Sequence, residues 1–351
     1  MKFTIAFYIH HHGSGHLMRT LQIVEGLKDY LIILIGSGLK DLTGVPSNVK
    51  IIHLPLDIAI ESENLSDRNS KSMGFHYAPI DVKGIRDRVA ILTEVFQENY
   101  PLVLVVDVSV EVALLARLAG VPTIIIRQQG NRTDLPHQLA YDSAELLIAP
   151  FSSEMYVGEK DKTYTKTVFT GGFSRFDSIK NNVNGNLNTV CILVGKGGTS
   201  ITEIVIKKMA FSCPELHFKV LGLKQSENNN FSNLEFLGKV DNPVEILNGA
   251  QIIIGNTGHN TVMEVASLNK RFIGIPENRP FDEQVEKAKS FQNRKGIKIV
   301  TPDELLQVDW QIILQNLKNE PVDWKGVIAP NAVATLAITI VNTAENLFKN
   351  S

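Results

Sequence analysis

The sequence has only two cysteines, Cys191 and Cys213, too few for a disulfide scaffold or a four-cysteine zinc site, and this usage suits a reducing compartment. Excess charge of either sign is also lacking. With 35 Lys and Arg against 37 Asp and Glu, the formal net charge of −2 gives no electrostatic footprint of a general nucleic-acid binder. Any enzyme here that handles an anionic ligand must build its positive potential locally, from backbone groups and a few side chains. Long hydrophobic runs are missing as well: nothing approaches the ~20 apolar residues of a membrane span. The apolar stretch Phe3 to Ile9 stops at three histidines, too short for a signal-peptide core. A cytoplasmic protein is expected, with peripheral contact at the inner face of a membrane left open.

What is present is an ordinary globular composition, 44% hydrophobic and 21% charged over 351 residues, enough for two domains sharing a cleft. Phe3 to Ile9 is apolar throughout, as a buried parallel strand should be. A glycine-containing turn, His10 to His16, follows, and then Leu17, Leu21, Ile23, Val24 and Leu27 recur at helical spacing. Further strands are expected at Leu31 to Ile35, Val49 to His53, Leu102 to Val106, Thr123 to Ile126 and Leu146 to Ile148, with a helix at Val110 to Ala119. Glu61 to Arg88 shows no clear period and is a candidate acceptor-facing lid or a surface insertion. The theme then repeats. Val190 to Val194 has the pattern of a strand, Gly195 to Ser200 of a glycine turn and Ile201 to Ala210 of a helix, and later strands complete a second unit. The expected class is α/β: two Rossmann-like, doubly wound parallel-sheet domains facing a cleft, residues 1–168 and 177–328, joined by a hinge near Gly171-Gly172 and the Asn-rich 181–188 linker. A long apolar helix at about 329–351 is expected to pack back on the first domain.

Neither glycine turn is diagnostic. The first lacks a full G-x-G-x-x-G fingerprint, and the second lacks the lysine and hydroxyl order of a P-loop. Both still suit an anion at a helix N-terminus. A richer constellation, Gly255 to Glu264, follows the strand Gln251 to Ile254: Thr257, Gly258, His259, Asn260 and Thr261 open a helix suited to a diphosphate, and Glu264 on its first or second turn can accept bonds from vicinal ribose hydroxyls. A second polar cluster, Pro280 to Gln284, stands at the same edge, where Asp282 could equally be a helix N-cap. In the first half, His16 follows Gly13-Ser14-Gly15 at a strand-to-helix turn. Its imidazole suits a general base near neutrality, or else a helix cap or phosphate donor. Asp107 either orients His16, meets an acceptor or caps the next helix. Arg127 and Arg132 either meet an acidic acceptor group or lie in a solvated loop. His10, His11, His12 and His16 do not make a metal site, because alternate strand residues face opposite ways and no carboxylate lies at ligand spacing.

The order G-x-x-T-x-x-E at Gly258, Thr261 and Glu264, followed by D-x-Q at Asp282 and Gln284, resembles the nucleotide-sugar site of glycosyltransferases with the GT-B fold. It is most similar to the peptidoglycan N-acetylglucosaminyltransferase (MurG) group, with its glycosyltransferase family 28 C-terminal domain, and more distantly to glucuronosyltransferase-type enzymes. Gly13-Ser14-Gly15-His16 resembles that group's glycine-glycine-histidine loop, and Thr170-Gly171-Gly172 stands where its interdomain T-G-N motif would. The resemblance implies that Glu264 holds the donor ribose, that Gly258 and Thr261 hold the diphosphate, that Asp282 and Gln284 contact the sugar, and that Gly197, Gly198 and Thr199 face the donor. It also implies a UDP-sugar co-substrate, no metal or other cofactor, and an acceptor in the first domain, lipid-linked or a glycan. The expected activity is inverting transfer of an N-acetylhexosamine to an acceptor hydroxyl with His16 as base and Gly13, Gly15, Asp107 and Arg127 on the acceptor side. The second-domain loop departs from the group's glycine-glycine-serine-glutamine-glycine pattern, which bears on the sugar's identity. Two alternatives share the donor site: a UDP-sugar hydrolase resembling that of the pseudaminic acid pathway, and a nucleotide-sugar-binding protein without turnover.

Overall fold

In a computed structural model the described residues are 3–10, 15–58, 74–179, 186–195, 197–225 and 231–349. The first half runs β1 (Thr4–Ile9), α1 (Gly15–Glu25), β2 (Leu31–Gly36), β3 (Val49–His53), α2 (Lys83–Glu98), β4 (Leu102–Val106), α3 (Val110–Leu118), β5 (Thr123–Ile126), α4 (Leu135–Ser143), β6 (Leu146–Ala149), α5 (Lys162–Thr165) and β7 (Thr167–Phe169). The second runs β8 (Asn186–Leu193), α6 (Glu203–Ser212), β9 (His217–Leu221), β10 (Leu234–Gly238), α7 (Val244–Gly249), β11 (Ala250–Asn256), α8 (His259–Ser267), β12 (Arg271–Ile275), α9 (Glu283–Lys289), β13 (Ile297–Ile299), α10 (Trp310–Asn319) and α11 (Ala332–Phe348). The strands form a seven-stranded sheet in the order 3-2-1-4-5-6-7 and a six-stranded sheet in the order 10-9-8-11-12-13. The pairs in both sheets are parallel.

Each sheet is covered on both faces, which is why its strands carry apolar residues at successive positions. In β1, Ile5, Phe7 and Ile9 point to one face, and Ala6 and Tyr8 to the other. The first face is closed by Ile23, Val24 and Leu27 around α1 and, from the far end of the chain, by Leu336, Ile340, Ala344 and Phe348 of α11. In the second sheet Val190 and Ile192 face α6 and α10, while Cys191 packs toward α8. Burial pushes the Cys191 thiol up to about 12 and that of Cys213 up to about 11, so neither is a nucleophile near neutrality.

The chain crosses between the sheets twice, side by side. Gly172 N–H donates to Val327 C=O (2.9 Å), and Ala329 N–H donates to Gly172 C=O (2.9 Å). Gly171 has φ +81°, and a Cβ there would lie 2.4 Å from Ala329 Cβ, so glycine is required on both counts.

Two sequence expectations change. The aperiodic 61–88 segment ends in a helix, α2 from Lys83. Its second turn carries the inward-facing Arg88, which donates to Ser37 Oγ (2.7 Å), Pro55 C=O (2.6 Å) and the Tyr8 hydroxyl, and this buried cation hides the apolar period. Residues 61–73 of that candidate lid lie outside the described residues. In the Asn-rich 181–188 stretch, β8 begins at Asn186, and α6 starts at Glu203 because Thr202 accepts from Val205 N–H as its N-cap. Among the described residues no helix is long and apolar enough to cross a membrane.

Because Leu336 is fully buried against the first sheet, Leu336→Ala should cost about 2–5 kcal/mol. Amide exchange should speed up in β1 and α1 and stay unchanged in β8 and β11. Uniform loss of protection in both sheets would show that α11 does not belong to one core.

Candidate functional site

Strand order reverses between β1 and β4 in one sheet and between β8 and β11 in the other. The loops at the carboxyl ends of these strands carry most of the residues singled out above, as expected where open parallel sheets bind ligands. Gly15 and His16 open α1, and Gly258 immediately precedes α8 as its N-cap. The two helix starts meet: Asn260 Nδ2 donates to Gly15 C=O (3.4 Å), and a Cβ on Gly15 would lie 3.3 Å from that nitrogen. Two helix N-termini therefore converge on one cleft, a setting that favours an anion.

Asp107 stands at the centre of the first-domain side. It accepts from Arg19 at Oδ1, from Gln128 Nε2 at the same oxygen (2.8 Å) and from His16 Nδ1 at Oδ2 (2.9 Å). Burial opposes its ionisation, but Arg19 and His16 win and hold the carboxyl at about 2. An ionised carboxylate only accepts, so His16 Nδ1 bears the hydrogen, and the Nε2 lone pair is left for chemistry. The His16 side chain is 25% exposed, which keeps it reachable. The competing N-cap role falls to Ser109, at φ +147°, which accepts from Val112 N–H (3.2 Å) and frees Asp107 for the histidine.

Arg127 does not line this cleft. It is buried, donating to Thr163 Oγ1 (2.9 Å), Thr167 Oγ1 (2.9 Å) and the Tyr156 hydroxyl (2.6 Å), so it clamps α5 and β7 to the sheet. The acceptor-side assignment of Arg127 is thus corrected, and Arg132 is the loop arginine that reaches the cleft. Gly13 lies outside the described residues, as do His11 and His12; His10 places its ring 6.1 Å from that of His16.

On the second-domain side Thr257 is likewise corrected. It is fully buried, its N–H donates to Ile275 C=O (3.2 Å) and its hydroxyl to Gln284 C=O (2.9 Å), so it ties loops together and has no free donor for a ligand. His259 is half-buried and, through burial and the cations Lys287 and Arg19, is held well below its ordinary pKa and stays neutral. Thr261 lies on α8, its methyl against Gly255. Glu264 accepts from Arg175 Nε at Oε1 (2.9 Å). Burial raises its pKa against the pull of that arginine.

The loop with Gly197, Gly198 and Thr199 is organised by Glu277, a residue the sequence reading passed over. Glu277 Oε1 accepts from Thr199 Oγ1 (3.1 Å), Ser200 N–H (2.6 Å), Ser200 Oγ (2.7 Å) and Asn256 Nδ2 (2.9 Å). Burial alone would raise its pKa, but these bonds lower it. The Thr199 hydroxyl is therefore engaged within the protein, and Gly198 C=O accepts from Arg279 (2.5 Å). Gln284 is buried and accepts from Glu277 N–H (3.0 Å), leaving its amide nitrogen near Gly258. The one available signal for Glu277 was its place directly after β12, at the edge where the other site loops end.

Between Glu277 and Gln284 the backbone is strained. Phe281 (φ +62°) and Asp282 (φ +53°) are consecutive left-handed residues, each costing about 1–2 kcal/mol. Asp282 is exposed and does not cap α9 through its side chain. Glu283 lies between Lys287 Nζ (3.4 Å) and Arg132 Nη2 (3.9 Å). Burial brings Lys287 down to about 8.

Among the described residues three potential metal ligands, His76, Asp134 and His137, do converge. Their chemistry favours a hydrogen-bond chain over a metal: His137 Nδ1 lies 2.7 Å from Asp134 Oδ2 and its Nε2 lies 3.0 Å from Arg132 Nη1. A metal on Nδ1 would put the histidine proton on Nε2, facing the arginine donor. Burial and Arg132 push His137 down to about 4, which keeps it neutral and able to accept from the arginine.

Residues 189–320 match the glycosyltransferase family 28 C-terminal domain. The chain is 22% identical over 262 residues to the UDP-N-acetylglucosamine--N-acetylmuramyl-(pentapeptide) pyrophosphoryl-undecaprenol N-acetylglucosamine transferase of Flavobacterium psychrophilum, covering 66% of this chain and 69% of that protein. The solved structure of the kitacinnamycin glycotransferase superposes with a TM-score of 0.69 at 12% identity, covering 98% of this chain and 100% of the other. MurG of Acinetobacter baumannii gives 0.64 at 15% identity, covering 97% and 100%. The fold is GT-B.

The folded-state pKa of Asp107 is depressed from 3.8 to about 2, so its stabilisation is present above the unfolded value and lost as pH falls through about 2. It is worth about 2 kcal/mol. Asp107→Asn should lose about 3–5 kcal/mol at pH 7 by leaving Arg19 uncompensated, and should flatten the acid limb of stability. Urea midpoints from pH 7 to pH 2 check both; an acid limb identical to wild type would mean Asp107 is not the titrating group.

Proposed function

We propose that this chain, with its glycosyltransferase family 28 C-terminal domain on a GT-B fold, is an inverting glycosyltransferase that moves a sugar of the N-acetylhexosamine class from UDP to an acceptor hydroxyl. The observation that carries this reading is the His16–Asp107 pair, set with its free imidazole nitrogen where the N-terminus of α8 meets that of α1. Asp107 holds the Nδ1 proton, and His16 Nε2 takes the proton of the acceptor hydroxyl as its oxygen bonds to the anomeric carbon. The bond to the UDP oxygen breaks in the same displacement, with inversion. The negative charge left on the diphosphate is met by amides at the start of α8 and in the Gly197–Gly198 turn.

Glu264 is the ribose ligand in this scheme. Arg175 occupies Oε1 and so orients the carboxylate, leaving Oε2 for the sugar hydroxyls. Gly258 and Thr261 attend the diphosphate, and Asp282 and the Gln284 amide attend the transferred sugar. Uridine and N-acetylglucosamine are supported by the likeness to the UDP-N-acetylglucosamine-dependent transferase of Flavobacterium psychrophilum. The acceptor, lipid-linked or a glycan, would enter over the first domain. The same histidine would activate water if no acceptor excluded it, and its exposure makes hydrolysis the second reading.

Calorimetric titration with UDP and other nucleoside diphosphates should show selective UDP binding, with Glu264→Ala losing about 1.5–3 kcal/mol, the range for hydrogen bonds to a charged group. Equal binding by the folded variant would remove Glu264 from the site. His16→Ala should keep UDP affinity while kcat falls about 10²–10⁴-fold, as for loss of a general base. UDP release that requires an added acceptor marks a transferase, acceptor-independent release marks the hydrolase, and binding without release marks a protein that has lost turnover.

A further inference from the structure

We propose that Phe281 is a positioning residue through which the first domain sets the sugar-side loop of the second. The proposal rests on the donor-site reading above and deepens it. The Phe281 ring projects across the cleft into a cage on the first domain, 4.9 Å from the His76 ring, 4.6 Å from the His137 ring and 5.0 Å from the Arg132 guanidinium. Its carbonyl accepts from Asn131 N–H (2.7 Å). Gly130 makes the approach possible: a Cβ there would lie 2.6 Å from Phe281 O and 3.2 Å from Glu283 Cα, and its φ of +111° suits glycine.

The docking explains the strained backbone. Two consecutive non-glycine residues in the left-handed region persist only where surrounding contacts over-determine them, and here the ring cage, the Asn131 bond and the Arg132–Glu283 contact all come from the other domain. Asp282 and Gln284 are one and three residues beyond the ring. Their orientation toward the donor sugar therefore depends on the first domain, whereas the groups assigned to ribose and diphosphate belong to α8, its turn and the Gly197–Gly198 turn, all within the second domain. Nucleotide is recognised by one domain and sugar by both.

The test uses Phe281→Ala, Phe281→Leu and, from the opposite side, Gly130→Ala, each titrated calorimetrically with UDP and with UDP-N-acetylglucosamine. The expected result is UDP affinity within about twofold of wild type, with the ratio of the two dissociation constants shifted against the sugar nucleotide by about tenfold in Phe281→Ala and Gly130→Ala and by less in Phe281→Leu. Hydrogen exchange at the Asn131 amide should accelerate in the same two variants. An unchanged ratio in both, unchanged exchange at Asn131, or equal loss of UDP and UDP-sugar affinity overturns the proposal while leaving the donor site standing. Wild type that binds neither nucleotide overturns the donor reading itself, and the positioning role with it.

Discussion

The buried carboxylate of Asp107 is the constraint on which the first-domain side of the cleft depends. An ionised group sealed from water must be surrounded by donors, and here they come from α1, in His16 and Arg19, and from the end of β5, in Gln128. Satisfying one carboxylate thereby fixes the tautomer of the histidine, the start of the first helix and the reach of the loop after the neighbouring strand. Charge, geometry and proton inventory are set together.

The second domain solves an equivalent problem with Glu277. Four donors from the β8 and β11 loops converge on one of its oxygens, and Gln284 accepts from its amide. Asp107 follows a strand at the point where its sheet's order reverses, and Glu277, which follows β12, reaches the corresponding point of the second sheet through Ser200 and Asn256. The two domains share an architecture but use their acids differently: Asp107 orients the His16 ring, and Glu277 organises the glycine turn after β8. The near-neutral net charge of the chain is thus compatible with an anionic ligand. Arg19, Arg132 and Lys287 concentrate positive charge around the cleft, and two helix starts add to it.

The sheets and their order of elements were legible because doubly covered parallel strands are continuous apolar runs closed by glycine turns. The start of α2 was not, since its inward-facing turn carries Arg88, a cation satisfied by Ser37 and Pro55 that no local pattern announces. His16, Gly258 and Glu264 stood out by their place after strands. Arg127 and Arg132 looked alike in one loop, yet the partners that bury Arg127 lie 29 to 40 residues away in sequence. Thr257 failed for the same reason, its hydroxyl bonding a carbonyl 27 residues on. Glu277 had the outward look of a solvated acid after a proline. Residues whose role depends on a distant hydrogen-bond partner are those a single sequence conceals.

The return of α11 has a bearing on how the chain is made. The core of the first sheet is finished by Leu336, Ile340, Ala344 and Phe348, and the Phe348 ring lies 6.1 Å from that of Phe3. During synthesis the first domain must therefore wait, its apolar face open, until α11 has left the ribosome, while the second domain can close on itself earlier. The order of assembly is inverted relative to the order of translation, and the interval before α11 arrives is when the nascent protein is most in need of a chaperone.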